Sequence, residues 1–403
     1  MVSIFDTQNI RLDIGDADIP WNIPEGVYYS KENHFITSIL SNWDQQSRTY
    51  ESTPYLPTGD SRTGIPFLTN FWPDVPFTRV WLPTLDDEAV RLEIAFPQNG
   101  HETTKPMYLL LHGLTGGSQE EYVKDFIYRV HKQGCTVVIM IARGLMDTPI
   151  KGWSVFHGAR VIDAQEAAKV LAKAKAPGQT LAGVGYSMGA IILTNYVARA
   201  GPDCPLDVAV SISGTLDSRP QIDNVRAHRL WEPLIAKTLR DVFIVGKLAD
   251  RYRVRLTKKQ MLELMRAHYI GLIDEHAVVT YNGYRDIYDY YGDMSALGDI
   301  PVDAPPETSR LANISIPLCQ IHALDDPLVT WKTIAANEGP RHPSNLVKIG
   351  DGNLVLLLTK GGGHVGWPTG LFPTIDKWSF MNNQVMKFVD AFEQARIQTN
   401  VSG

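Results

Sequence analysis

Residues 181–200 read LAGVGYSMGAIILTNYVARA, and this stretch constrains the fold of the 403-residue chain more than any other. An apolar run of strand length meets a serine bracketed by glycines, and an apolar stretch then continues to Gly201-Pro202. Gly185-Tyr186-Ser187-Met188-Gly189 therefore reads as a turn from a buried strand directly into a helix, so sharp that only glycine fits beside the serine. Such an elbow lifts the Ser187 hydroxyl clear of the backbone and sets it at a helix N-terminus, which favours negative charge developing there. Ser187 is the candidate nucleophile, with Gly185, Tyr186 and Gly189 as its support. Gly183, Gly185 and Gly189 also come near the spacing of a dinucleotide-binding loop, but the third glycine is one residue late and nothing else supports that reading.

The surrounding sequence alternates strand and helix patterns. MYLLL (107–111), CTVVIMIA (135–142), VAVSIS (208–213), IPLCQIH (316–322) and LVLLL (354–358) are short runs made almost wholly of apolar residues. Val123, Phe126, Ile127 and Val130 share one helical face after Ser118 and Glu121, which stand at capping-box spacing. Val161, Ala164, Ala168 and Leu171 share another, stopped by Pro177-Gly178. Such alternation predicts an α/β fold with a mostly parallel central sheet and helices on both faces. Val90, Leu92, Ile94 and Phe96 instead alternate with Arg91 and Glu93, which predicts a half-buried antiparallel strand. A last helix is predicted over 376–396. The pattern breaks over 218–310, which is polar, helical in texture and rich in Tyr, Arg and Met. The chain thus divides into an N-terminal arm packed on the core (1–75), a core of 76–217 and 311–403, and an inserted helical cap (218–310).

Three more segments carry chemistry. His112-Gly113-Leu114-Thr115-Gly116-Gly117 directly follows the 107–111 run. A glycine-rich loop there can aim backbone N–H groups at an oxyanion; the donors are Leu114 and Met188, with His112 and Gly113 shaping the turn. Asp325-Asp326-Pro327-Leu328-Val329 lies just past a strand. Asp326, directly before Pro-Leu-Val, is the candidate acid, and Asp325 its neighbour. Gly361-Gly362-Gly363-His364-Val365-Gly366 follows the last strand. A mobile loop free of side chains would let His364 reach over the sheet to Ser187, and histidine gives and accepts protons near neutral pH. The order Ser, Asp, His predicts a catalytic triad of Ser187, Asp326 and His364.

Composition removes other classes. A formal net charge of −6 without a long basic run offers nucleic acid little attraction. The eleven histidines do not cluster at ligand spacing, so no metal or other cofactor is implied. Cys135, Cys204 and Cys319 make no disulfide framework and suit a reducing compartment. The first residues lack the apolar run of a signal peptide, and no run approaches the ~18 apolar residues of a membrane span. The sequons at Asn313 and Asn400 read as chance, and a soluble cytoplasmic enzyme is expected.

These residues resemble the YheT-like branch of the α/β-hydrolases, which includes esterases, abhydrolase-domain lipases and ethyl ester synthases. The likeness extends from about Lys31 to the C-terminus. Lys31-Glu32-Asn33-His34-Phe35-Ile36-Thr37 is similar to the branch's N-terminal element, although Ile36 stands where glutamine is common. Arg143-Gly144 resembles its turn after the second buried strand, and Gly283-Tyr284 with Tyr290-Tyr291 its cap signature. Ala142 and Ala190 depart from the pattern, and residues 46–75 look longer than the usual arm. The resemblance implies an α/β-hydrolase fold and hydrolysis of lipid-like acyl esters, such as acylglycerols, through an acyl-enzyme. Acyl transfer to an alcohol is the alternative activity, and a non-catalytic binding protein the alternative class. Met261, Leu262, Leu264 and Met265, after the basic stretch Arg251–Lys259, would suit acyl chains and peripheral membrane contact through the cap. The pattern is more simply that of a helix packing its apolar face on the core, with an ordinary solvated face.

Overall fold

The computed structural model describes residues 19–69, 72–372 and 376–402. The first 18 residues of the arm, and with them the region scanned for a signal peptide, lie outside the described residues. Nine strands form one sheet: β1 (Gly26–Tyr28), β2 (Thr78–Pro83), β3 (Ala89–Ala95), β4 (Met107–Leu111), β5 (Thr136–Ile141), β6 (Leu181–Tyr186), β7 (Val208–Ile212), β8 (Leu318–Ala323) and β9 (Leu354–Thr359). Their order is β1-β9-β8-β7-β6-β4-β5-β3-β2. The six strands from β9 to β5 run parallel, and β1, β2 and β3 are antiparallel to their neighbours. Each parallel strand is buried along its whole length, because helices cover them.

Register places the chemistry. Leu111 pairs with Gly185, so the loop after β4 and the turn after β6 leave the sheet side by side. Ala323 pairs with Thr359, which does the same for the loops after β8 and β9. All four loops emerge at the C-terminal ends of the parallel strands, where open α/β sheets place their sites.

Three sequence expectations need correction. The arm is not merely packed on the core: its β1 pairs with β9 as an edge strand of the sheet. It also forms helices α1 (His34–Asn42) and α2 (Gly59–Leu68). Asn33 caps α1 by accepting the Ile36 N–H and ties it to the start of β9 by donating to Asp351 O and Asn353 Oδ1. Second, β3 is not half-buried, since Arg91 and Glu93 are as covered as the apolar residues between them. They pair with each other at 3.2 Å, and with Asp147 and Arg79, so their charges are neutralised locally. Third, Ser118 and Glu121 make no capping box: helix α3 (Glu121–His131) begins without a side-chain cap, and the Ser118 hydroxyl donates to Glu93 instead.

Helices α4 (Ile162–Ala174) and α5 (Met188–Ala200) follow β5 and β6, and the chain ends in a helix over Ser379–Ser402. Between β7 and β8 a series of short helices extends from Val225 to Asp293. Arg255 in this segment stacks on Trp153 and Tyr281, and Arg251 donates to the Ile150 and Gly152 carbonyls. Leu264 is fully buried and Met261 packs on the core, whereas half of Leu262 is exposed. Among the described residues no helix is long and apolar enough to cross a membrane.

Arg143, just past β5, is wholly buried and bridges Asp163 on α4 to Asp86 before β3. Removing one member of such a network leaves buried charge uncompensated. Arg143→Met is therefore expected to cost about 3–5 kcal/mol of stability, read as a lower urea midpoint with an unchanged slope.

Candidate active site

Ser187 sits at the elbow with φ 53° and ψ −118°, a conformation that side-chain-bearing residues rarely adopt. Two residues to either side the space admits only glycine: a Cβ on Gly189 would lie 2.1 Å from the Leu111 carbonyl oxygen, and one on Gly185 2.6 Å from the Gly189 carbonyl oxygen. Tyr186 is buried and anchors the end of β6 by donating to Asn382 Oδ1 on the C-terminal helix at 2.7 Å.

The Ser187 hydroxyl donates to His364 Nε2 at 2.8 Å, and His364 Nδ1–H donates to Asp326 Oδ2 at 2.8 Å. A carboxylate only accepts, so this contact places the imidazole proton on Nδ1 and leaves Nε2 free to take a proton. Asp326 Oδ1 accepts the Leu328 and Val329 N–H groups at 2.9 and 2.8 Å. Burial opposes its charge, but the facing His364 and His322 and the Val329 N–H outweigh it, and the carboxyl is held below the ordinary range. His322, buried on β8 beneath this loop, is also lowered, in its case by burial, to about 4.

Asp325 faces elsewhere. It pairs with Arg62 of α2 at 2.5 Å and accepts the Gly363 N–H at 2.9 Å. Burial lifts its carboxyl, against the Gly363 N–H and the Arg62 guanidinium.

The loop carrying His364 is pinned rather than mobile, which corrects the reading of its glycines. Three successive amides donate: Gly363 to Asp325, His364 to Thr63 Oγ1 at 2.8 Å, and Val365 to Ser213 Oγ at 3.1 Å. A Cβ on Gly363 would lie 2.6 Å from both Gly59 O and Thr63 Oγ1. The glycines thus let α2 press against the loop. Arg62 and Thr63 are the site residues that the sequence reading missed. The only signal was the spacing of Thr58 and Ser61, which do form a capping box at the start of α2.

On the other side, Gly113 N–H donates to the Tyr122 hydroxyl at 2.9 Å and is committed there. The Leu114 and Met188 N–H groups have no hydrogen-bond partner among the described residues, and both residues line the same cavity as Ser187. His112 is buried, its Nδ1–H donates to the Gly113 carbonyl at 2.8 Å, and burial lowers its pKa. It holds the loop, and the hydrogen-bond partner of Ser187 Oγ is His364.

The cavity measures about 570 Å³. Phe67 and Leu68 of the arm, Trp231, Leu234 and Ile235 of the inserted segment, and Leu328 and Val329 make much of it apolar. Met261, Leu262 and Met265 do not line it. Among the described residues no three of His, Cys, Asp and Glu are grouped so as to hold a metal ion.

Asp274, in the inserted segment, also lines the cavity and is raised by burial from 3.8 to about 7. A carboxyl whose folded value lies above its unfolded one gives stability that is complete below pH ~4 and lost as pH rises toward 7. Asp274→Asn keeps an acceptor for the Tyr291 hydroxyl, which now donates to Asp274 Oδ2 at 3.0 Å. The variant is expected to gain on the order of 2–4 kcal/mol over the wild type between pH 4 and pH 8. Melting curves at both pH values check this, and an equal offset at the two would contradict it.

A family model described as alpha/beta hydrolase fold matches residues 108–353. Phospholipase ABHD3 of Mus musculus is 25% identical over 330 residues, covering 81% of this chain and 74% of that protein. The YheT protein of Escherichia coli is 27% identical over 307 residues, covering 75% and 83%. Monoacylglycerol lipase of Saccharomyces cerevisiae is 26% identical over 278 residues, covering 67% and 57%.

Proposed function

The chain belongs to the alpha/beta hydrolase fold family, and on that premise we propose that it is a serine hydrolase of lipid-like carboxylic esters. The observation that carries the reading is the unbroken hydrogen-bond line Ser187–His364–Asp326, opening into an apolar cavity beside two uncommitted N–H groups. In this reading Ser187 Oγ attacks the ester carbonyl while its proton moves to His364 Nε2. The Leu114 and Met188 N–H groups hold the oxyanion, each worth about 3–4 kcal/mol in the transition state. His364 gives its proton to the departing alcohol, then takes one from the water that cleaves the acyl-enzyme. Relatives named as a phospholipase and a monoacylglycerol lipase favour lipid esters. The exposed Phe67, Leu68 and Leu234, at the cavity, give such a substrate an apolar approach and support contact with a lipid surface.

The test is labelling with a fluorophosphonate, followed by peptide mapping and by assay of free acid released from a medium-chain ester. The expected result is one adduct, on Ser187, with acid release abolished in the labelled protein. A folded protein that neither labels nor releases acid would return the chain to the binding-protein reading. Acid release unaffected by a large excess of alcohol, with no new ester formed, excludes acyl transfer.

A further inference from the structure

The cavity over Ser187 has two unlike ends. Leu68 and Leu234 are 76% and 69% exposed, which sets the apolar lining at the open mouth. Glu232, Tyr291 and Ser218 are at most 5% exposed, which sets a polar lining at the closed end. Two carboxyls line the cavity, Glu232 buried and Asp274 partly buried, on different helical segments between β7 and β8.

Each carboxyl has one oxygen engaged. Glu232 Oε2 accepts the Ile270 N–H at 2.9 Å, and Asp274 Oδ2 accepts the Tyr291 hydroxyl at 3.0 Å. Asp274 Oδ1 has no hydrogen-bond partner among the described residues, whereas Glu232 also lies beside the Gln221 side chain and has His228 Nε2 3.8 Å from its Oε1. Asp274 is only partly buried and lines the cavity, so its free oxygen is open to a ligand there. No Lys or Arg is among the residues lining the cavity, and a third carboxyl, Glu120, is. The lining therefore offers an anionic ligand no counter-charge.

We propose that Asp274 and Glu232 select esters whose alcohol portion carries a free hydroxyl, with the acyl chain lying toward the mouth. This rests on the ester-hydrolase reading above. A hydroxyl suits these groups in either protonation state, since it donates to a carboxylate and both donates to and accepts from a carboxylic acid. Burial raises both carboxyls to about 7, so neither is held as an anion by its surroundings, as a site built for a cation would require.

The experiment compares kcat/KM for glycerol monodecanoate, ethyl decanoate and choline decanoate, which share one acyl chain. For the wild type the glycerol ester is expected to exceed the ethyl ester at least tenfold, on the order of one or two hydrogen bonds to cavity-lining carboxyls. In Asp274→Leu that ratio should fall to within about threefold of unity. In Asp274→Asn, which still offers an oxygen to the hydroxyl and to Tyr291, most of the ratio should remain. A wild-type ratio near one overturns the proposal whether or not Asp274→Leu folds. A strong preference for the choline ester, abolished in Asp274→Asn, overturns it in favour of a cation site. Equal loss on glycerol and ethyl esters in Asp274→Leu overturns it by making Asp274 a structural residue. Hydrolysis of none of the three, with no Ser187 labelling, defeats the underlying reading as well, whereas hydrolysis without preference defeats this inference alone.

Discussion

Ser187→Ala is expected to lower kcat for ester hydrolysis by about 10⁵–10⁶-fold while leaving the melting temperature close to that of the wild type. Ser187 Oγ has a single strong partner, His364 Nε2, so its loss takes away the nucleophile and leaves the fold's contacts in place. His364→Ala should cost a similar factor, and the double variant scarcely more, because a nucleophile and its base act as one unit. The residual rate, roughly 10³–10⁴ above water in comparable triads, would come from the Leu114 and Met188 N–H groups and from binding. Additive losses, or a loss of less than about a hundredfold in Ser187→Ala, would mean that hydrolysis uses another nucleophile.

The second large effect separates the adjacent aspartates. Asp326→Asn is expected to lower kcat by about 10³–10⁴-fold with little change in KM. Its Oδ1 accepts two backbone N–H groups, from Leu328 and Val329, so an asparagine keeps its oxygen there and turns its NH₂ toward His364. Facing a donor, the imidazole must carry its proton on Nε2, and it can no longer receive one from Ser187. Asp325→Asn breaks the Arg62 pair but can still accept from Gly363, so the acid–base line stays intact. It should cost less than about tenfold in kcat and about 1–3 kcal/mol of stability, as a buried hydrogen-bonded group losing its ion partner does. Stopped assays and urea melts of the two proteins check the contrast. Comparable kcat losses in both would assign the acid's work to the pair rather than to Asp326.

The elbow was readable because its demands are local. Glycines at 185 and 189 and an apolar strand before Ser187 suffice to specify the turn, whatever surrounds it. The apolar runs were readable for the same reason, since a strand buried on both sides must be apolar at every position. Arg91 and Glu93 were misread because alternation reports which residues are polar, and not whether another chain segment will pair with them. The Gly361–Gly366 loop was misread because a glycine that permits motion and a glycine that permits close packing are the same letter.

The sequence by itself determined the parallel sheet, the candidate nucleophile and the chain order of serine, aspartate pair and histidine, through short-range constraints on backbone conformation and burial. Only the tertiary structure decided that Asp326 rather than Asp325 faces the imidazole, and that α2 of the arm holds both loops through Arg62 and Thr63. It alone brought Glu232 and Asp274 together in the lining of the cavity that holds Ser187. These contacts join residues separated by 38 to about 300 positions, as in Asp326–His364 and Thr63–His364. Their partners are chosen by strand order and register, which no local pattern encodes.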